Sequence, residues 1–218
     1  MGSPGPHDAI IRTAARTHLG PLGFRQKGRS RTWLRDHGWW LAVVEFQPSA
    51  WSKGTYLNVA CMWLWHPQDY IAFHVCERLG RYAEFLDEPS FSSATDALAR
   101  LAAVGALKNE QDFPDVHSAL AFLEARTAGS QNHWDHYNAM MAALACGQID
   151  SAAKHSRSLL QLEADYEWCS ALQNLARHVM EVARTDAVAA VKEQISLTRE
   201  WLRLPPDPGS SWVVAGEA

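Results

Sequence analysis

The sequence of 218 residues is poor in cysteine and has no two cysteines close enough for a CxxC motif. Its four cysteines, Cys61, Cys76, Cys146 and Cys169, lie far apart, which argues against a disulfide framework and favours a reducing compartment. No apolar run approaches the roughly 20 residues that a membrane span needs. The N-terminus has no apolar stretch of signal-peptide length. These absences predict a soluble, cytoplasmic protein with no membrane segment.

The common catalytic signatures are missing as well. The chain contains no GxSxG elbow, no P-loop, no GxGxxG turn and no HExxH pair. A catalytic nucleophile needs an adjacent base and a third group that orients it, and no local stretch supplies all three. The sequence therefore predicts no familiar hydrolase or nucleotide enzyme and no cofactor. A site assembled from scattered residues stays open, and so does the question of enzymatic activity.

Tryptophan and the distribution of charge are the unusual features of the composition. Ten tryptophans predict several large apolar contacts, in a core or at a surface. The net charge is −4, yet residues 12–35 contain seven basic residues and no acidic one. Residues 91–218 instead carry 10 basic and 16 acidic residues. The chain thus combines a basic segment near its N-terminus with an acidic remainder.

Hydrophobic periodicity predicts a helix and then a short antiparallel sheet in the first part of the chain. The helix covers residues 8–19, with Asp8 as its N-cap. The period-2 segments 30–35 and 39–47 flank Asp36-His37-Gly38, which is typical of a hairpin turn. A third extended segment covers 55–65. Sequential strands with short links favour an antiparallel meander packed on a helix.

After Pro67 the spacing of apolar residues changes to that of helices. Ile71, Val75 and Leu79 predict a helix, and further helical segments follow throughout the rest of the chain. We therefore predict an α+β fold with a helical C-terminal subdomain of antiparallel helix hairpins. The later helices are predicted at 94–104, 115–127, 133–146, 150–163, 166–184 and 186–202. The predicted parts are an α+β domain at 7–127, a helical subdomain at 132–203 and a loose tail at 204–218.

The stretch FRQKGRSRTWLR contains alternating basic residues. On an extended backbone Arg25, Lys27, Arg29 and Arg31 project to one side, and Trp33 continues the same parity. Such a row suits phosphate groups or an acidic protein surface. The alternative is a solvated edge strand that its charges protect from aggregation.

Polar residues interrupt the apolar stretch VVEFQPSAWSKGTYLNVACMWLW. Gln47 and Ser49 stand at the end of one predicted strand, Trp51 follows in the loop, and Asn58 lies in the next strand. Pro48 lacks a backbone donor, so the first strand is expected to leave the sheet there. One hypothesis is a structural clasp in which Gln47 is largely buried and bonded to backbone or to Asn58, so that Gln47→Ala costs about 1–3 kcal/mol. The other is a recognition pocket, which would also include Arg29.

His133 and His136, in the stretch HWDHYN, lie three residues apart on one face of a predicted helix. Two imidazoles at this spacing are able to share a metal ion, but no third ligand is visible in the sequence. A capped helix start, with Asn132 as the N-cap and Asp135 in the first turn, explains the same residues. We therefore predict no metal site.

The order of these segments resembles domain-of-unknown-function family 4304, a bacterial family without an established activity. The resemblance covers about residues 8–85: a leading helix, a Gly-Phe and basic segment, an apolar strand that ends in Phe-Gln-x-Ser, a short loop, and a strand containing Asn. Pro48 replaces a more usual basic residue. The residues that carry the resemblance are Gly23-Phe24, Lys27-Gly28-Arg29, Phe46-Gln47-Pro48-Ser49, Trp51 and Asn58.

These features predict a binding protein whose partner is another protein, since a Trp-containing basic face suits protein recognition. An antitoxin-like or immunity protein is one concrete form. The competing hypothesis is an enzyme that acts on a phosphorylated or nucleic-acid substrate at the same face, with nucleic acid the less favoured partner. The predicted binding residues are Arg25, Lys27, Arg29, Arg31, Trp33, Gln47, Ser49, Trp51 and Asn58.

Overall fold

The computed structural model describes residues 5–207 and confirms the predicted α+β fold. Within these residues, five strands form one antiparallel sheet in sequential order. The predicted hairpin turn at 36–38 is confirmed, because the His37 amide donates to the Trp40 carbonyl across it. The strands are β1 (Arg25–Gln26), β2 (Thr32–Asp36), β3 (Trp40–Pro48), β4 (Gly54–Trp63) and β5 (Val75–Glu84).

Seven α-helices lie in the described part of the chain, and the last five match their predicted positions to within about two residues. The helix predicted at 94–104 is much longer than expected and begins before Pro89. Proline is tolerated there because the first helical turn leaves its N–H groups unbonded. The helices are α1 (Pro6–Leu19), α2 (Glu88–Asp112), α3 (Val116–Thr127), α4 (His133–Ala145), α5 (Ile149–Gln161), α6 (Glu167–Ala183) and α7 (Ala187–Leu202).

The start of α1 differs from the prediction. Gly5 is the N-cap, Pro6 is the first helical residue, and Asp8 is the third. The prediction that Asp8 caps the helix was therefore wrong. Asp8 still stabilises the helix start, because its Oδ2 accepts a hydrogen bond from the Gly5 amide at 3.2 Å.

The segment predicted as a helix through Ile71, Val75 and Leu79 is not helical. Residues 75–84 form β5, which pairs antiparallel with β4. Apolar residues four apart satisfy both the period of a helix and the period of a strand, so their spacing alone does not separate the two. The free edge of β4 decides the outcome, because it supplies backbone hydrogen bonds to an extended partner.

The described residues fall into two compact units. Unit 1 comprises the residues up to Trp63 together with Ile71–Gln111, and unit 2 comprises Leu64–Tyr70 and the residues from Asp112 onward. The units therefore divide at other places than the boundary between the predicted parts 7–127 and 132–203. The predicted domain limits concern parts that fold independently. The division into compact units does not test this, so the limits stay a prediction. Of the predicted tail, residues 208–218 lie outside the described residues.

In unit 1, helix α2 covers one face of the sheet. Gly105 allows a close approach, since a Cβ atom at this position would lie 3.5 Å from the Val59 side chain and only 2.7 Å from Leu79. Leu57 and Val59 on this face are buried, as are Phe91 and other residues of α2. The opposite face of β3, β4 and β5 carries the polar side chains described below.

The chain enters β5 through a half-buried histidine, His74. The Trp63 amide donates to His74 Nδ1 at 2.9 Å, and the His74 amide donates to the Cys61 carbonyl. Burial lowers the pKa of His74 to about 4, so the ring is neutral at physiological pH and serves as an acceptor. These bonds fix the approach to β5.

In unit 2, the segment Leu64–Tyr70 belongs with the helices. Trp65 Nε1 donates to Asn138 Oδ1 at 3.1 Å, and the Tyr137 hydroxyl donates to the Trp65 carbonyl at 3.2 Å. Thr198 on α7 donates to the carbonyl of His66 at 3.2 Å. Buried polar groups thus tie this segment to α4 and α7.

Candidate functional site

Three neighbouring strands place polar side chains in a row. Glu45 on β3 is directly opposite Asn58 on β4, and Asn58 is directly opposite Arg78 on β5. Gln47 lies two residues beyond Glu45 and therefore on the same face. Residues directly opposite each other in an antiparallel sheet have side chains within contact distance. The register alone brings these four side chains together.

Hydrogen bonds join the four residues into a polar network. Gln47 Oε1 accepts from Asn58 Nδ2 at 3.1 Å and from Arg78 Nη2 at 2.6 Å. Asn58 Oδ1 accepts from Arg78 Nε at 3.2 Å, and Asn58 Nδ2 also contacts Glu45 Oε2 at 3.0 Å. The predicted bond between Gln47 and Asn58 is confirmed. Asn58 is buried and Gln47 is partly buried, so the predicted burial of Gln47 is confirmed only in part.

Aromatic rings extend the polar network along the same face. The Arg78 guanidinium lies 4.6 Å from the centre of the Tyr56 ring, a cation–π distance. Tyr56 packs against Tyr82 with ring centres 4.7 Å apart. Sequence reasoning missed Glu45, Tyr56, Arg78 and Tyr82. The alternation of Arg78 and Tyr82 along a strand was the signal for two of them, and the helix predicted at 71–79 obscured it.

Residues 49–53 form the Trp51 loop, which connects β3 to β4. The Trp51 amide donates to Ser49 Oγ at 3.1 Å, and the Tyr82 hydroxyl donates to the Ser52 carbonyl at 3.0 Å. The Phe85 amide donates to the Lys53 carbonyl at 2.8 Å. The loop is therefore bonded both within itself and to the chain around β5. It presents Trp51 with 94% of the residue exposed.

The clasp hypothesis names the right pair of residues, Gln47 and Asn58, but it does not name the residue that holds the loop. β3 ends at Pro48, as predicted. Gln47, however, bonds to the neighbouring strands rather than to the Trp51 loop, and Tyr82 supplies the direct bonds to the loop. The loop and the polar network are thus two fixed groups of residues around β4 and β5.

A cleft of about 600 Å³ lies beside the polar network, which it meets at Glu45. We call it the edge cleft. Within the edge cleft, Asp8 forms an ion pair with Arg31, with 2.7 Å between Oδ1 and Nη2. Arg12 and Arg29 line the same cleft and have no ion-pair partner among residues 5–207. An anionic group is the complementary ligand for these two guanidinium groups. The edge cleft is lined by Asp8, Ile11, Arg12, Gln26, Arg29, Ser30, Arg31, Thr32, Trp33, Glu45 and Pro48.

The basic row predicted from alternation does not exist as a single row. β1 ends at Gln26 and β2 begins at Thr32, and Gly28 turns the chain between them with φ of 57°. Arg25, Lys27 and Arg29 are exposed, but they no longer share a strand face.

Two members of the predicted row have structural contacts instead. Arg31 is held by Asp8 and by the Gly54 carbonyl, to which its Nη1 donates at 3.0 Å. Trp33 is only 4% exposed, because its position opposite Val44 puts it on the face that the helices cover. The prediction of Trp33 as a surface aromatic was wrong, and Trp51 is the exposed tryptophan of this region.

The Cys76 thiol on this face is not activated by the neighbouring guanidinium group. Cys76 is exposed and lies two residues from Arg78, yet partial burial raises the pKa of its thiol, a shift that the Arg78 charge only partly opposes. A thiol held in its protonated form is a poor nucleophile. The amide, carboxylate and guanidinium groups of the polar network already satisfy one another and are positioned before any ligand arrives.

The histidine pair on α4 is part of the helix start. Asn132 is the N-cap, as predicted, and its Oδ1 accepts from the Trp134 amide at 3.0 Å. His136 Nε2 lies 3.0 Å from the Ser130 carbonyl. No group of three or more His, Cys, Asp or Glu side chains is arranged to hold a metal ion in the part of the chain that the structure describes.

Comparison with known proteins gives no match among protein-family models, curated proteins or solved structures. The resemblance to the unknown-function family therefore stays a prediction. Of the helices within residues 5–207, none has the length and apolar character to cross a membrane.

Gln47→Ala should lower the free energy of unfolding by about 1 kcal/mol, because Asn58 and Arg78 lose a shared acceptor. The value falls at the low end of the predicted range since Gln47 is half-buried and water replaces part of the loss. Urea unfolding measures the change. Gln111→Ala, at an exposed position, should stay within about 0.5 kcal/mol of wild type. Equal stabilities of the two variants would contradict a stabilising role of the polar network.

Proposed function

We propose that the chain is a binding protein that recognises another protein through the Trp51 loop and the adjoining edge cleft. The observation that carries this proposal is the 94% exposure of Trp51 on a loop that hydrogen bonds hold in place. A large exposed indole on a fixed loop loses little conformational entropy on binding. Tryptophan, tyrosine and arginine also dominate the binding energy of protein interfaces.

The charges around the loop support a partner with an acidic surface. Arg12 and Arg29 in the edge cleft have no ion-pair partner within residues 5–207, and Arg25 and Lys27 are exposed nearby in the chain. An acidic side chain of the partner in the edge cleft and an apolar pocket over Trp51 would complement these groups. An antitoxin-like or immunity protein that covers a toxin is the concrete form of this proposal. A bacterial, cytoplasmic setting is part of it.

Affinity capture from the native host tests the proposal. Wild type, Trp51→Ala and Trp201→Ala serve as bait, and bound proteins are identified by mass spectrometry. Trp201 is a matched control because it is 49% exposed and belongs to unit 2. We expect a stoichiometric partner that wild type and Trp201→Ala retain and Trp51→Ala loses. Identical sets of captured proteins for all three baits would refute the proposal.

The guanidinium groups of Arg12 and Arg29 in the edge cleft also fit the alternative function, an enzyme that acts on a phosphorylated or nucleic-acid substrate at the same face. The two functions predict different effects of inorganic phosphate on binding. Inorganic phosphate should compete with a phosphorylated substrate beyond the effect of its ionic strength, whereas it should act on a protein complex only as any salt of equal ionic strength does.

Arg29→Glu should slow association with the recovered partner roughly threefold to tenfold at low salt and flatten the salt dependence of the on-rate. An exposed charge at the rim of an interface mainly steers the encounter and contributes little to the dissociation rate. Stopped-flow or surface-based kinetics at several salt concentrations measure both rates.

Arg157→Glu is the matched control for this reversal of charge. Arg157 is exposed on α5 in unit 2 and the substitution changes the net charge by the same amount. If Arg29→Glu and Arg157→Glu slow association equally, only the net charge matters and the edge cleft has no part in binding.

A further inference from the structure

A second cleft, of about 580 Å³, lies within unit 2 where α4 begins, α5 ends and α6 begins. It does not rest on the function proposed above. Aromatic and acidic side chains line it together with amides, and no lysine or arginine is among the lining residues that the structure describes. The residues that carry the inference are Gln131, His133, Glu163, Asp165, Tyr166 and Trp168.

The aromatic side of this cleft is built on a fixed stack. Trp168 stacks on Trp134 with ring centres 6.0 Å apart and planes 2° from parallel, and Trp134 in turn stacks on His66 at 3.4 Å. Trp168 remains 46% exposed beside this stack. Tyr166, 66% exposed, lines the same cleft. Two aromatic side chains therefore have surface available to a ligand.

The polar side of the cleft offers hydrogen-bond acceptors. Glu163 and Asp165 are exposed, and neither has an ion-pair partner within residues 5–207. His133 is only 6% exposed, lies 5.5 Å from Trp168 between ring centres in a T-shaped pair, and has its Nε2 buried without a hydrogen-bond partner in the described structure. A buried ring nitrogen without a partner is costly unless a ligand or water satisfies it. In the tautomer protonated at Nδ1, this nitrogen is an acceptor.

We propose that this cleft binds an organic cation that carries N–H donors, namely an alkylguanidinium or alkylammonium group. The exposed parts of the Trp168 and Tyr166 rings offer π surface to a cation. Glu163 and Asp165 neutralise the charge and accept N–H bonds, and the buried His133 Nε2 becomes a further acceptor once a movement of its ring exposes it to the cleft. A neutral ligand gains neither the neutralisation of charge nor the cation–π contact, and an anionic ligand is repelled by Glu163 and Asp165.

The test is a titration of the folded chain with n-butylguanidinium, followed through the indole N–H signal of Trp168 in ¹H–¹⁵N spectra. The signal is assigned by its loss in Trp168→Phe. We expect a saturable shift at millimolar or lower concentration, and no shift with n-butanol or butyrate. In calorimetry, Trp168→Ala should weaken binding about 3- to 30-fold. Absence of saturation, or an equal shift with n-butanol, would overturn the proposal.

Two double variants with the same net charge distinguish an effect of the site from an effect of the overall charge. Glu163→Gln with Asp165→Asn should weaken binding roughly fivefold. Glu193→Gln with Glu200→Gln removes the same charge from exposed positions of α7 and should change affinity less than twofold. Equal effects of both double variants would refute a specific site.

Two sources of the cation are distinguished by a second ligand, N-acetyl-arginine N-methylamide. If it binds at least as tightly as n-butylguanidinium, the natural ligand is the side chain of a peptide or protein. If the flanking amides prevent binding and the free alkyl cation still binds, the natural ligand is a small amine or guanidine. Binding of neither compound would overturn the proposal.

Discussion

Gly54→Ala should lower the free energy of unfolding by about 3 kcal/mol, near the upper end for a steric insertion. Gly54 is the first residue of β4, and a Cβ atom there would overlap the backbone carbonyl oxygen of Ala83 and the hydroxyl of Tyr82. The Ala83 carbonyl belongs to the paired strand, so relief requires the backbone to move rather than a side chain to rotate. Urea unfolding monitored by tryptophan fluorescence measures the change.

Gly28→Ala is the control for the effect of removing a glycine. Gly28 has φ of 57°, but a Cβ atom there meets no other atom within 4 Å. Only the backbone conformation is penalised, at about 1–2 kcal/mol. Gly54→Ala should therefore be clearly the more destabilising variant. A Gly54→Ala protein as stable as wild type would show that β4 and β5 are not held in the close approach described here.

The effect of Gly54→Ala should also reach the binding surface. The Tyr82 hydroxyl that a new Cβ would displace is the group that bonds to both Ser52 Oγ and the Ser52 carbonyl. Gly54 also accepts a hydrogen bond from Arg31, which lines the edge cleft. The glycine thus connects the packing of two strands to the position of the Trp51 loop.

Most of the helical part of the fold was predictable from sequence because its signals are local. Asn132 and Asp186 cap α4 and α7 through their side chains, and Gly147 has the positive φ that lets the chain turn after α4. Such signals depend on neighbouring residues alone. The position of β5 depends on a free edge of β4 that is distant in sequence, and there the local spacing of Val75 and Leu79 was ambiguous.

The candidate site was predictable only in part, for the same reason. Gln47 and Asn58 stand on adjacent strands of one hairpin, so their contact follows from the hairpin itself. Arg78 and Tyr82 reach them from β5, and no pattern around residues 43–65 points to that strand. Identifying the third strand is therefore the step that turns a pair of polar residues into a network.

Burial of tryptophan was the least predictable property of the site. Trp33 and Trp51 both stand near basic residues and next to predicted strands. The turn at Gly28 and the pairing of Trp33 with Val44 put Trp33 on the covered face, whereas Trp51 lies in a loop outside the sheet. Strand register makes Trp33 a core residue, and the position of Trp51 outside the sheet makes it a surface residue.

Trp51→Ala should weaken binding of the recovered partner by about 2 kcal/mol or more, about 30-fold, mainly through faster dissociation. An exposed indole contributes little to folding, so the free energy of unfolding should stay within about 0.5 kcal/mol of wild type. Dissociation rates measured with the purified partner, together with urea unfolding of the free variant, check both parts.

Trp51→Phe and Trp201→Ala make this experiment specific. Phenylalanine retains part of the apolar area and should bind with intermediate affinity. Trp201→Ala removes an exposed indole from unit 2 and should bind like wild type. If Trp51→Ala also dissociates like wild type, the Trp51 loop is not the anchor. The interface must then use other exposed residues, and the acidic helices after residue 130 become the next surface to test.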